Sequence, residues 1–212
     1  MVRPNDMPEH KWNQKPVWSR WFIATLLGTI IGSLLLSLVL IRLPGDTDSN
    51  WYVDLLQTVT TTTIVILPIS IGQWFVLRRY LYRAGRWILA SVTATVICLP
   101  AVQSIVRAGG DPELATLVAL YGVGVFTGLT QWFVLRGTIR NSIWWVLVSA
   151  LSWLLVTFLL GIMIHWLSIG LDPILKGLAG FLHIVAIWSI YGAIMGLVLK
   201  WLLQQAGAKS IP

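Results

Sequence analysis

The chain has 212 residues, 57% of them hydrophobic and 11% charged, with 13 tryptophans and a formal net charge of +7. An ordinary soluble domain carries about 25% charged residues, so the composition excludes that class and fits an integral membrane protein. The positive balance does not point to nucleic acid, because the basic residues fall in short stretches between apolar runs and make no folded basic surface.

Residues 1–20, with Pro4, Pro8 and Pro16 among polar and charged residues, read as a short cytoplasmic tail. A six-helix transmembrane domain is expected over residues 21–204. A helical crossing of a hydrocarbon layer takes about 20 residues. Six apolar segments reach that length, near Trp21 to Leu43, Asp54 to Leu77, Trp87 to Val106, Glu113 to Leu135, Ile143 to Leu167 and Leu175 to Leu203. The first has no small-residue cleavage pattern after it and reads as a retained span, not a secretory signal. Residues 205–212 form a second short tail. The fold class is therefore all-α integral membrane.

Charge placement orients the chain. Arg3, Lys11, Lys15, Arg20, Arg78, Arg79, Arg83, Arg86, Arg136, Arg140, Lys200 and Lys209 fall on one side of the six segments, and only Arg42, Arg107 and Lys176 on the other. By the positive-inside rule both termini are cytoplasmic. The arginines of the loops at 78–86 and 136–142 then have two ordinary roles, fixing topology and attracting anionic lipid headgroups.

The hexapeptide QWFVLR at residues 73–78 returns unchanged at 131–136, each time at the end of an even-numbered segment. The sixth segment ends with GLVLK in the corresponding place, so Met195 and Gly196 stand where Gln and Trp would be, and Lys200 where Arg would be. The odd-numbered segments also start alike, at Arg20-Trp21, Arg86-Trp87 and Trp144-Trp145. The chain reads as three hairpins, about 21–78, 87–136 and 143–203, in a parallel repeat about an axis along the membrane normal. Within the motif, Arg78 and Arg136 extend to headgroups while Trp74 and Trp132 sit in the aromatic belt. Gln73 and Gln131 lie about 7.5 Å deeper by helical rise. Such amides read either as interhelical glue or as ligand-binding groups facing a central cavity.

Small residues at four-residue spacing, Gly28/Gly32, Ala90/Ala94, Gly124/Gly128 and Gly192/Gly196, mark close helix approaches. Pro68 and Pro100 interrupt the second and third segments, and threonines 58 and 60–63 are placed to satisfy carbonyls freed near Pro68.

No Asp, Glu, Lys or Arg lies near the middle of any segment, which weakens a proton- or sodium-coupled transporter. The chain has no phosphate-cradling GxxxxGK[ST], no HExxH pair and no serine nucleophile pattern, so no catalytic residue and no metal site are assigned. Two histidines lie in the segments. His183, about 12 Å from the outer end of the sixth, reads either as a neutral imidazole bonded to a neighbouring span or as an axial ligand to a tetrapyrrole or a headgroup contact. His165 sits near the outer end of the fifth, at a different depth, so the two do not share a metal.

The QWFVLR repeats, the Trp-rich segment starts and the closing GAIMGLVLKWLLQ resemble a group of uncharacterised multi-pass bacterial membrane proteins, of cyanobacterial and Chloroflexota type, with repeated QW(L/F)VLR hairpins. The resemblance runs from about Trp21 to Gln204. It implies a bacterial inner membrane, or a thylakoid membrane in a photosynthetic source, and brings no catalytic or binding residues with it. The expected function is that of a non-enzymatic accessory or assembly protein, with membrane lipids, a hydrophobic cofactor or other membrane proteins as partners. A solute-binding membrane subunit of a transporter is the alternative. A polar cavity open to the outside favours the transporter subunit, and a lipid-facing groove or a packed centre favours the accessory protein.

Overall fold

A computed structural model describes residues 17–40, 51–107, 112–139, 141–167 and 173–207. All six apolar segments are helices: α1 Val17–Leu40, α2 Trp51–Leu77, α3 Arg86–Arg107, α4 Pro112–Leu135, α5 Ile143–Leu167 and α6 Pro173–Gly207. The start of α1 is earlier than expected. Residues 17–20, assigned from sequence to the tail, belong to the helix, because Trp18 reaches α6 and its indole Nε1 donates to the Ala193 carbonyl at 3.0 Å.

Three helices contain runs long and apolar enough to cross a membrane, Val17–Val39, Leu55–Leu77 and Gly177–Ala206, and α3 and α5 carry shorter apolar stretches at Arg86–Cys98 and Ile143–Leu159. Their outward faces are apolar too. Leu89 is 69% exposed, Phe158 66% and Leu151 64%, an arrangement that costs free energy in water and none in hydrocarbon.

The helices form a ring. Each packs on its neighbours in chain order, and α6 packs back on α1. Backbones come close between α1 and α2, where a Cβ on Gly28 would lie 2.5 Å from the Ile69 Cα and one on Gly32 would lie 2.8 Å from the Val65 carbonyl oxygen. The other glycine pairs named above also sit against neighbouring elements, Gly124 and Gly128 against α5, Gly192 and Gly196 against α1. Small side chains let backbones approach and gain dispersion contact, the main attraction between helices in lipid.

At the arginine-bearing end the ring is packed solid. Leu77, Leu135 and Leu199 are fully buried, and one turn further Leu81, Ile139 and Leu203 are nearly so. The loops after the two QWFVLR copies repeat the same backbone bonds. Leu81 N–H donates to the Leu77 carbonyl at 2.9 Å and Ile139 N–H to the Leu135 carbonyl at 2.8 Å. The next helix then starts with Trp87 N–H on Ala84 O and Trp145 N–H on Ser142 O, both 2.9 Å.

Pro68 lies inside α2, which runs through it as one helix. The hydroxyls of Thr61, Thr62 and Thr63 donate to the carbonyls of Gln57, Thr58 and Val59. A proline at 68 leaves over the carbonyl of residue 64, so these three threonines do not perform the repair expected of them. A hydroxyl on a helix reaches back to the carbonyl four residues before it, and the threonines lie too early in α2.

Candidate functional site

The site begins with three tryptophans. Trp21, Trp87 and Trp145 lie near the starts of the odd-numbered helices and meet edge to face, with centroids 5.6 Å apart for Trp21–Trp87, 5.4 Å for Trp87–Trp145 and 5.8 Å for Trp21–Trp145. All three are at most 1% exposed. Interplanar angles of 74° to 85° place ring edges against ring faces, the arrangement the ring quadrupoles favour by about 0.5–1.5 kcal/mol per pair.

A buried indole N–H needs an acceptor, and the motif glutamines supply two. Trp87 Nε1 donates to Gln73 Oε1 at 3.0 Å, and Trp145 Nε1 donates to Gln131 Oε1 at 2.9 Å. On its other side, Gln73 Nε2 donates to Thr25 Oγ1 at 3.2 Å and Gln131 Nε2 donates to Ser91 Oγ at 2.9 Å. Gln73, on α2, thus ties α1 to α3, and Gln131, on α4, ties α3 to α5. The third seam has no such tie. Met195 is fully buried at the glutamine position of α6, and Trp21 Nε1 is buried without a hydrogen-bond partner. The departure at Gly196 has a steric reason, since a Cβ there would sit 3.0 Å from Trp21 Cδ1 and 3.1 Å from Trp18 Cδ1.

Above this aromatic floor, away from the arginine loops, lies a partly open cavity of about 600 Å³ lined by side chains of all six helices. On α1 the wall runs from Trp21 to Ser37, about 24 Å by helical rise. Among the described residues the lining is mostly apolar and holds no Asp, Glu, Lys, Arg or His. Trp153, Trp188 and Tyr191 form a second aromatic group on the α5–α6 side, with centroids 5.7–5.9 Å apart. The Tyr191 hydroxyl lies 3.4 Å from Ser149 Oγ, one helical turn beyond Trp145.

Gln73 and Gln131 therefore line the cavity and also bond the helices together. His183 does not join them. It is outside the cavity wall, and its Nε2 is buried with no hydrogen-bond partner, so the bond to a neighbouring span expected of a neutral imidazole is not made through that atom. Among the described residues no three His, Cys, Asp or Glu side chains come together as a metal site.

Arg78, Arg79, Arg83, Arg86 and Arg136 are exposed at the end opposite the cavity. The Arg78 guanidinium lies over Phe75 at 4.6 Å and Trp74 at 5.5 Å; Arg136 repeats this over Phe133 at 4.5 Å and Trp132 at 5.4 Å. Each contact is worth about 0.5–1 kcal/mol at an exposed site. Arg140 and the side chains of His165 and Pro100 lie outside the described residues.

Sequence reasoning missed the tryptophan floor, the Trp153–Trp188–Tyr191 wall and the hydroxyl partners of the glutamines. One local signal was present: Trp21–Thr25, Trp87–Ser91 and Trp145–Ser149 share a four-residue spacing, which puts a small hydroxyl one turn above each indole on the same helix face. Comparison with known family models, with curated proteins and with solved structures found no match. The site is therefore read from its own geometry.

Proposed function

We propose that this chain is a non-enzymatic, six-span membrane protein that holds a hydrophobic ligand in its central cavity. In this reading the six helices are three parallel hairpins with both termini cytoplasmic, and membrane lipid surrounds the apolar outer faces. The resemblance to bacterial QW(L/F)VLR membrane proteins belongs to the same proposal. The observation that carries it is the cavity itself, about 600 Å³, lined by all six helices, mostly apolar and, among the described residues, without a charged side chain. Such a space is expensive to fill with an ion, which would lose its water with no charged group in the described lining to compensate, and inexpensive to fill with hydrocarbon. Its floor is rigid, since the tryptophans and glutamines hold one another by the bonds described above.

One observation favours the transporter-subunit reading: side chains of all six helices line the cavity, as they line a central space and not a groove on one lipid-facing wall. Its apolar lining weighs against a polar solute. Native mass spectrometry and organic extraction of the protein, purified in a gentle detergent, separate the two. One lipophilic molecule per chain is expected, displaced in Gly180→Phe, because Gly180 lines the cavity and a Cβ there meets no heavy atom within 4 Å. A bound water-soluble solute, or an ATPase that co-purifies in fixed ratio, would overturn the proposal.

A further inference from the structure

The lower half of the cavity has two unlike walls. Nearest the tryptophan floor, α2, α3 and α4 contribute the hydrogen-bonding residues Ser70, Gln73, Ser91, Thr95, Thr127 and Gln131. Across the ring, α5 and α6 contribute the aromatic rings of Trp145, Trp153, Trp188 and Tyr191. Higher up, the aliphatic Leu36, Val65, Ile66 and Ile184 stand beside Ser33, Ser37, Thr61 and Thr62, of which Ser37, Thr61 and Thr62 spend their hydrogens on carbonyls of their own helices. A uniform hydrocarbon chain has no use for this division. A flat ring with oxygen substituents does, because it packs its face on the aromatic wall and turns its polar edge to the other.

The polar wall offers both donors and acceptors. Ser70, Ser91 and Thr95 donate their hydrogens to the carbonyls of Ile66, Trp87 and Ser91, so they present oxygen lone pairs. Gln73 and Gln131 each commit one Nε2 hydrogen to Thr25 or Ser91 and keep the other. Thr127 makes no side-chain hydrogen bond to the protein among the described residues, so its hydroxyl is available in either sense. These groups suit ring carbonyls and ring hydroxyls alike.

Size and charge narrow the class. At about 30 Å³ for a methylene-sized group, the volume of a water molecule in the liquid, 600 Å³ takes about 20 such groups. That holds at least one ring with one chain. Among the described residues the wall holds no charged side chain, which favours a neutral head.

We infer that the ligand is an uncharged quinonoid or phenolic ring carrying a single long hydrocarbon chain, seated with its ring between the α2–α4 hydroxyls and amides and the α5–α6 aromatics, and its chain beside Leu36, Val65, Ile66 and Ile184 above. The inference rests on the proposal that the cavity holds a hydrophobic molecule, and its test separates the two.

The detergent-washed protein is titrated with three probes: decylubiquinone, decanol as the chain alone, and 2,3-dimethoxy-5-methyl-1,4-benzoquinone as the ring alone. Stoichiometry is read by native mass spectrometry and affinity from the shift in thermal unfolding. Decylubiquinone is expected to bind one to one, about tenfold or more tighter than either fragment, a difference of about one hydrogen bond and one stacked face. Thr127→Val keeps the shape of the side chain and removes its hydroxyl. It is expected to weaken decylubiquinone about three- to tenfold and to leave decanol unchanged, which also reports that the variant is folded. Decanol binding as tightly as decylubiquinone, one to one, would overturn the ring assignment and leave the hydrophobic-ligand proposal standing. Ring alone binding as tightly as decylubiquinone would overturn the chain assignment. If no probe binds stoichiometrically, the hydrophobic-ligand proposal falls with the inference.

Discussion

Met195→Gln is expected to stabilise the protein. Met195 occupies on α6 the place of Gln73 on α2 and Gln131 on α4, and the indole it faces, Trp21, has a buried Nε1 with no partner. An amide here can accept from Trp21 Nε1 and donate to Ser149 Oγ, as Gln131 accepts from Trp145 and donates to Ser91. Methionine and glutamine are close in volume, so packing changes little. Each interhelical bond in a membrane protein averages about 0.6 kcal/mol, so two bonds offer a gain of about 1 kcal/mol, before the relief of an unsatisfied buried N–H. That is about 2–4 °C in unfolding midpoint for a chain of this size. The mirror change, Gln131→Met, removes two bonds and leaves Trp145 Nε1 unsatisfied, at a cost of about 2 kcal/mol. Unfolding in mixed micelles, followed by tryptophan fluorescence, measures both. A double-mutant cycle with Trp21→Phe adds the decisive control, since phenylalanine has no N–H and the gain from glutamine should vanish beside it. The reasoning fails if Met195→Gln lowers stability, or if its gain persists in the Trp21→Phe background.

Other outcomes follow from the same geometry. Gln73→Leu loses both interhelical bonds of that amide; if it serves only as glue, ligand occupancy and unfolding midpoint fall together, and if it also contacts the ligand, occupancy by native mass spectrometry falls further than stability accounts for. Gly28→Val drives side-chain atoms into the Ile69 backbone and is expected to cost about 1–3 kcal/mol, while Gly161→Ala, where a Cβ meets nothing within 4 Å, should be close to neutral in the same assay. The orientation is tested with cysteines at Gly85 and Gly137, two open loop positions at the arginine end. The native Cys98 is buried, so background is low. In intact cells a membrane-impermeant maleimide should leave both unlabelled until the membrane is opened; labelling from outside would reverse the proposed topology.

Much of the helix plan was legible because in lipid each helix satisfies its own backbone and advertises itself through local composition. Leu77, Leu135 and Leu167 close three helices where the apolar runs end. The glycine spacing also read correctly as close approach, because it depends on side-chain size alone. Apart from the threonines near Pro68, which bond back within α2, the errors came where a side chain reaches beyond its own helix. Trp18 looked like part of a tail until its bond to Ala193 made it the first turn of α1. The glutamines posed a choice between glue and cavity that the sequence left open, and they serve the first while facing the second.

The amino-acid sequence by itself determined that the chain is helical and suited to a membrane, and that its second and fourth helices end in the same six residues, since each of these is a property of neighbouring residues. Only the tertiary structure decided that α6 closes on α1, that Trp21, Trp87 and Trp145 meet edge to face, and that an apolar cavity stands above them. These depend on contacts between residues as far apart as Trp18 and Ala193, and on the fit of whole side chains between helices. No local pattern encodes them, because dispersion and burial act on whatever surface is brought near, regardless of its place in the chain.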